Sequence, residues 1–169
     1  MKSKLVYAHI ALFFLSTECF CLPIDQYPYV CFSPNVKCRN QIISEICEAN
    51  NSIKVQAYSF TDIFIANALI YMKNKGIKVY VILDKVNLSC KRSVYGALKT
   101  NNVPVKIDRS YGIAHNKVMI IDDEKVITGS YNFSVNAYKA NRENLLILHD
   151  KSLASKYSDN FLTRWNKSK

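Results

Sequence analysis

Between His115 and Asn132 the sequence reads HNKVMIIDDEKVITGSYN, which places a histidine, a lysine, an aspartate and a Gly-Ser-x-Asn group at short spacing. If this segment forms a pair of strands, alternation points His115 and Lys117 to one face and Asp122 to the other. Ser130 and Asn132 share a parity on the return strand. The pattern therefore predicts a pocket that holds a histidine, a lysine and two short polar side chains, which is a set suited to a phosphodiester.

Cleaving a phosphodiester without a metal requires a nucleophile, groups that hold the non-bridging oxygens, and an acid for the leaving oxygen. Imidazole can attack phosphorus when neutral and donate a proton when charged, so His115 can serve either purpose. Lys117 and Asn132 suit the phosphoryl oxygens, and Ser130 can support the phosphate or a neighbouring side chain. Glu143 begins the ENLLIL segment, and we expect its carboxylate to orient His115 through the second ring nitrogen.

Taken singly, each of these residues has an ordinary structural explanation, but their joint spacing is rare in a chain of this length. HxKxxxxD followed by GSxN resembles the signature of the phospholipase D superfamily. Further segments look like its small single-motif branch, and together they cover roughly residues 29–166: Phe32-Ser33-Pro34 with Cys38, Ile53–Phe60, Lys75–Val79, Ile82-Leu83-Asp84 and Asn141–Asn144. That branch contains bacterial non-specific endonucleases, exported bacterial proteins called phospholipase D, and a mitochondrial cardiolipin hydrolase or nuclease.

The resemblance implies an α/β fold with a mixed sheet flanked by helices and one motif per chain. It implies that His115 is the nucleophile and forms a phosphohistidine, while Lys117 and Asn132 hold the phosphate. Glu143 would orient His115, and Asp122, although part of the catalytic motif, would have a more structural role. No cofactor is implied. No metal site is predicted either, because CxxC and HExxH are absent and the three histidines are far apart in the sequence.

A single histidine cannot easily act as both nucleophile and acid on opposite sides of phosphorus, and larger members of the superfamily carry two copies of the motif. The only other candidate here begins at His149, but Lys156 stands where the aspartate should be and no GSxN follows. We therefore expect a two-fold homodimer that joins two copies of the pocket.

The substrate is less well specified. A formal charge of +10 favours polyanions, and Tyr58, Phe60 and Tyr111 lie near predicted strand ends, where bases could stack or where ordinary packing could explain them. A non-specific endonuclease that acts on DNA or RNA is the first expectation. A phospholipid at a membrane surface is the alternative, favoured by the predicted export. A catalytically silent module that only binds polyanions is a remote third, since His115 and Lys117 are both present.

The N-terminus predicts export. Lys2 and Lys4 precede an apolar run, Leu5–Leu15, which is short for a membrane span. We predict a signal peptide over residues 1–21 and a phosphodiesterase domain over residues 22–169, with an uncleaved anchor as the alternative. In an exported protein the remaining cysteines suggest disulfides, and Cys31 and Cys38, which bracket a short turn, are the expected pair.

Helix-like and strand-like segments alternate along the rest of the chain, which indicates an α/β protein. The predicted strands are residues 29–32, 52–60, 78–83, 103–108, a pair within 115–132, and 143–148. The predicted helices are residues 40–50, 61–75, 93–101 and 152–166.

Overall fold

The structure is a computed structural model that describes residues 27–169, and these residues are built around one seven-stranded mixed sheet. The strands are β1 Tyr29–Phe32, β2 Ser52–Ala57, β3 Lys78–Asp84, β4 Val105–Asp108, β5 Lys117–Ile121, β6 Lys125–Gly129 and β7 Asn144–His149. Their order across the sheet is β1-β7-β6-β5-β2-β3-β4. Strands β2, β3 and β4 run parallel, and the other neighbours are antiparallel. The predicted mixed α/β class is confirmed.

Helices cover both faces of the sheet. They are α1 Val36–Cys47, α2 Ile63–Asn74, α3 Val86–Ser89, α4 Tyr95–Thr100, α5 Val135–Lys139 and α6 Lys151–Lys167. Buried residues of α1, α2, α4 and α5 pack in a large apolar cluster on one face, and α6 packs in a smaller cluster on the other. Because both faces are covered, the five residues of the central strand β5 are all buried.

The β5–β6 connection is a tight hairpin that keeps the two strands in register. The amide of Glu124 donates to the carbonyl of Ile121 at 3.0 Å, and the two residues between them, Asp122 and Asp123, have φ angles of 56° and 57°. Positive φ at both central positions is typical of a type I′ turn, whose twist matches that of the strands, and aspartate tolerates it better than most residues; Glu124 completes the three-residue connection to β6.

The sheet topology gathers the functional segments at one end of the sheet. Strand β5 begins beside the end of β2, where Lys117 pairs with Ala57. The end of β6 lies beside the start of β7, where Gly129 pairs with Leu145. Segments far apart in sequence therefore lie side by side at this end of the sheet.

Helix limits differ from the sequence predictions at several places. The first helix begins at Val36 rather than near residue 40, because the side chain of Asn35 caps it by accepting a hydrogen bond from the amide of Lys37 at 2.9 Å. The predicted cap and stop of α2 are confirmed: Asp62 caps its start, and Gly76, with φ 96°, follows its end. The short helices α3 and α5 have too few apolar repeats to be predicted.

Two strands are shorter than predicted, and this affects the site. Strand β2 ends at Ala57 rather than at residue 60, and β5 begins at Lys117, so His115 lies in the preceding loop. The expectation that strand alternation alone would align His115 with Lys117 was wrong. Instead, the loop before β5 places the ring of His115 against the ammonium of Lys117.

The predicted disulfide is confirmed: Cys31 at β1 is bonded to Cys38 in α1, with 5.5 Å between their Cα atoms. The predicted signal peptide over residues 1–21 lies outside the described residues. Among residues 27–169, no helix combines the length and apolarity needed to cross a bilayer.

A buried ion pair connects α1 to β6. The carboxylate of Glu45, which is fully buried, accepts hydrogen bonds from Lys125 Nζ at 2.7 Å, from Gln41 Nε2 at 2.9 Å and from the Tyr27 hydroxyl at 3.0 Å. Burial lowers the pKa of Lys125, but its bonds to Glu45, Glu48 and Tyr27 outweigh that effect and raise the pKa above its usual value. Lys125 is therefore charged at neutral pH.

We predict that Lys125→Met lowers the free energy of unfolding by about 3 kcal/mol, because it leaves the buried Glu45 carboxylate without its counter-charge. Urea unfolding at neutral pH measures the change. Lys151→Met is the matched control: its ammonium is 73% exposed and pairs with Glu124 on the surface, so its unfolding midpoint should barely move. Equal midpoints for both variants would contradict the proposed role of the buried pair.

Candidate active site

The centre of the site is a lysine ammonium that is largely removed from water. Lys117 is only 7% exposed, and its Nζ lies 2.8 Å from the carbonyl oxygen of His115 and 2.9 Å from His115 Nδ1. The same Nζ lies 5.2 Å from the centre of the Tyr58 ring, within range of a cation–π contact. Burial lowers the pKa of Lys117, and the negative charge of Glu143 partly offsets this effect.

His115 is exposed, and its ring is held by packing. The Tyr58 ring lies against it with 4.4 Å between centroids and 53° between planes. The backbone is fixed next to it, since the Tyr58 amide donates to the carbonyl of Asn116 at 2.8 Å. Asp84, at the end of β3, accepts a 2.6 Å hydrogen bond from the amide of Ala114. The imidazole therefore points into solvent from an anchored loop.

Asp84 is a positioning residue that sequence reasoning missed. Its other carboxylate oxygen accepts from the amide of Val86 at 2.8 Å, so the side chain joins the turn after β3 to the loop before His115. The signal in the sequence was an acidic residue that directly ends the apolar run KVYVIL. A buried carboxylate at the end of a strand usually has backbone amides to bind.

The contact with Lys117 determines the tautomer of His115. A charged ammonium has donors only, so Nδ1 must accept, and the neutral ring then carries its proton on Nε2. In this arrangement Nε2 has no free lone pair with which to attack phosphorus. Attack by Nε2 would therefore require Lys117 to release Nδ1.

Ser130 and Glu143 form a hydrogen-bonded unit beside this pair. The Ser130 hydroxyl donates to Glu143 at 2.6 Å, and Asn141 Nδ2 donates to the other carboxylate oxygen at 3.0 Å. The Glu143 backbone is fixed in turn by Ser33, whose amide donates to its carbonyl at 3.0 Å. Ser130 thus supports a neighbouring side chain, one of the two roles that its position suggested.

The predicted bond from Glu143 to His115 is not made within residues 27–169. Ser130 and Asn141 occupy the carboxylate of Glu143, and Nδ1 of His115 faces Lys117. The physical reason is local, because Ser130 and Asn141 belong to segments that lie directly beside Glu143. Within the chain, Glu143 acts on the site through Ser130 and through its charge on Lys117.

The Gly-Ser-x-Asn segment is positioned by a close approach of two backbones. Gly129 has a φ of 137°, and a side chain there would collide with the backbone carbonyl of Asn144. Only glycine fits. The side-chain oxygen of Asn132 is buried and has no hydrogen-bond partner among the described residues. An unpaired buried polar group costs about 1–3 kcal/mol, so a ligand that completes its hydrogen bonding would be favoured.

Asp122 lies at the opposite end of β5 from Lys117, about 16 Å away along the strand. Its carboxylate accepts three backbone hydrogen bonds, from the amides of Asn50 and Asn51 at 2.7 Å and of Ser52 at 2.8 Å. The structure thus brings together His115, Lys117, Ser130 and Glu143, with Asn132 two residues from Ser130, but does not bring Asp122 to them. This placement agrees with the structural role expected of Asp122.

A family model described as "Cardiolipin synthase, PLD-like domain" matches residues 42–165. The chain belongs to the phospholipase D superfamily. A "Phospholipase D" of Rickettsia conorii is 46% identical over 134 residues, which are 79% of this chain and 67% of that protein. A "Mitochondrial cardiolipin hydrolase" of Xenopus tropicalis is 30% identical over 126 residues, 75% of this chain and 60% of that protein.

Solved structures of the same superfamily share this fold. The crystal structure of Nuc from Salmonella typhimurium, described as a phospholipase D family member, is 31% identical and has a TM-score of 0.78. The match covers 83% of this chain and 95% of that one. The predicted superfamily and fold are confirmed, and the chain is a phosphodiesterase of the phospholipase D superfamily.

The position of Asp122 generates a prediction that separates stability from chemistry. Asp122→Asn should lower the unfolding midpoint by several degrees. The new side chain keeps one acceptor oxygen, but its NH2 group replaces the other oxygen and sets a donor against a backbone N–H that is also a donor. The specific activity of the folded fraction should stay close to that of the wild type. Thermal unfolding together with steady-state kinetics at low temperature measures both quantities.

The matched control is Asp159→Asn, the same change at an exposed carboxylate of α6, and it should leave both quantities unchanged. Loss of kcat in Asp122→Asn at an unchanged unfolding midpoint would show instead that Asp122 takes part in the reaction.

Proposed function

We propose that this chain is a metal-independent phosphodiesterase that works through a phosphohistidine in a two-fold dimeric site, with nucleic acid as its substrate. One observation carries the proposal: an exposed imidazole lies 2.9 Å from a buried lysine ammonium at the end of a central strand. A phosphate that reaches the imidazole also meets a cation whose partial desolvation makes an anionic partner favourable.

The chemistry follows from the two protonation states of imidazole. A phosphate non-bridging oxygen draws the ammonium of Lys117 away from Nδ1, and the proton of the ring moves to Nδ1. Nε2 of His115 then attacks phosphorus, forming a P–N bond while the P–O bond to the leaving group breaks. An imidazolium on the far side protonates the leaving oxygen. Water next attacks phosphorus and breaks the P–N bond, and its proton returns to the second imidazole, so that both histidines regain their starting states.

The dimer is proposed because that mechanism needs a second histidine. Exposed apolar side chains surround the site and could be covered by another copy: Phe32 on the edge strand β1, and Tyr111 and Ile113 in the loop before His115. Phe32 also lines an open groove together with Glu143, and this groove extends the apolar surface to the end of the sheet that carries the site. A two-fold axis at this end of the sheet would place two His115 rings around one phosphate.

Nucleic acid is favoured by the charges around the site. The chain carries a formal charge of +10. Exposed cations also lie on both sides of the site: Arg142 in the groove beside Glu143, and Lys156 in a cavity beside Asn116. A polyanion that crosses the site would contact both of them.

A phospholipid is the second candidate, and a specific feature favours it. Tyr111 is fully exposed and Ile113 largely so, on a loop that ends at His115. Apolar residues beside the nucleophile could enter a membrane surface. Two relatives by sequence, a protein called phospholipase D and one called mitochondrial cardiolipin hydrolase, support the same alternative.

Export of the chain is part of the proposal. The Cys31–Cys38 disulfide supports it, because disulfides persist in oxidising compartments.

We predict that His115→Ala abolishes turnover and leaves the fold intact, since the exposed ring carries no core packing. Purified protein is incubated in EDTA with plasmid DNA, with RNA and with phosphatidylcholine vesicles in separate reactions. DNA or RNA cleavage by the wild type, lost in the variant, supports the nuclease, whereas choline release alone supports the phospholipase. Wild-type activity that EDTA destroys, or full activity of His115→Ala, would contradict the mechanism.

The two-histidine site predicts the behaviour of mixed dimers. Wild-type and His115→Ala chains with different affinity tags are co-expressed, and the heterodimer is purified through both tags. If each cleavage needs His115 from both copies, the heterodimer should keep only a few per cent of wild-type activity. A heterodimer with half the wild-type activity would mean that each chain holds a complete site.

A further inference from the structure

A cavity of about 240 Å³ opens on the α6 side of the sheet, directly behind the loop that carries the nucleophile. Three carboxamides, an ammonium, an aromatic ring and an aliphatic side chain line it: Gln56, Asn116, Asn160, Lys156, Tyr157 and Val118. None of these residues takes part in the chemistry described above.

The side-chain amide of Gln56 faces the cavity. Gln56 as a whole residue is only 4% exposed, and no hydrogen bond joins its side chain to another described residue. It lies opposite Val118 in the sheet, on the α6 side, while its neighbours Val55 and Ala57 point into the large core. Because its amide lines the cavity, a ligand that enters the cavity can pair with it.

The cavity adjoins the loop that carries His115. Asn116 lines the cavity and stands between His115 and Lys117 in the sequence, and consecutive Cα atoms are about 3.8 Å apart. A base joined to the scissile phosphate through one sugar would pass Asn116 to enter the cavity while the phosphate contacts Lys117.

We propose that this cavity binds the unpaired base of the nucleotide that flanks the scissile phosphate. The proposal rests on the nuclease function proposed above. A carboxamide offers a donor and an acceptor side by side, and it can pair in a bidentate way with a base edge. Tyr157 supplies an aromatic surface for the base, and Lys156 lies where a neighbouring phosphate would follow.

The size and charge of the cavity argue against other occupants. Its volume is below the roughly 300–1,000 Å³ that is usual for drug-sized ligands, which suits a single base. The Lys156 ammonium would repel a quaternary ammonium head group such as choline. The carboxamides would be left unpaired by an acyl chain.

The test maps base preference at the cut. Random-sequence single-stranded DNA is cleaved and the product ends are sequenced for the wild type, Gln56→Leu and Asn160→Ala. The wild type should prefer particular bases at one position beside the cut, and both variants should reduce that preference roughly tenfold, the value of one bidentate pair. Asn67→Ala, at an exposed asparagine of α2 on the opposite side of the sheet, is the matched control and should keep the preference.

A second measurement removes the base instead of the side chain. An abasic residue at the preferred position should lower kcat/KM of the wild type roughly tenfold and that of Gln56→Leu less than twofold. Asn160→Ala lies on the helix surface and leaves the core intact, so it keeps the test valid if Gln56→Leu folds poorly. DNA cleavage with the same preference in all four proteins, or with none in the wild type, would overturn the cavity's role and leave the nuclease standing. Choline release without nucleic-acid cleavage would overturn both.

Discussion

The site depends on the burial of one ammonium at the end of the central strand. Lys117 is removed from water and is held by the carbonyl and ring of His115, the face of Tyr58 and the charge of Glu143. Among residues 27–169, none of the groups in direct contact with it carries a full negative charge. Because a buried cation without a counter-ion is unfavourable, the site favours an anion, and a phosphate would supply that charge.

The sheet order explains why residues so far apart in sequence surround this ammonium. Strands β2 and β6 end where β5 and β7 begin, so Tyr58, Ser130 and Glu143 all lie at one end of the sheet. Strand register then becomes critical, because a shift of one residue would turn Lys117 to the other face. Asp122 holds that register from the far end of β5 by binding the amides that precede β2. A residue of the motif can thus stabilise the strand pairing around the candidate site without being close to Lys117.

The sequence predicted the sheet class and the disulfide, because these depend on alternation and cysteine spacing, and a rare motif indicated the residues of the candidate site. It placed His115 on a strand, since periodicity cannot show that Tyr58 and Asp84 anchor a loop there instead. It linked Glu143 to the histidine, whereas the choice among Ser130, Asn141 and His115 depends on Å-scale distances between segments. Periodicity predicts only that Gln56 lies in a strand, whereas the cavity that its side chain lines is a property of the packed molecule.

The surroundings of the phosphate, rather than the phosphate chemistry, distinguish the candidate substrates. Two features flank His115: an apolar loop with Tyr111 and Ile113, and a polar cavity lined by the carboxamides of Gln56 and Asn160. Exposed apolar residues can be satisfied by a membrane or by a second copy of the chain, so they favour no single substrate. The carboxamides of the cavity are more selective, because an acyl chain cannot pair with them and a base edge can. The stronger constraint on substrate therefore comes from the cavity, and it favours nucleic acid.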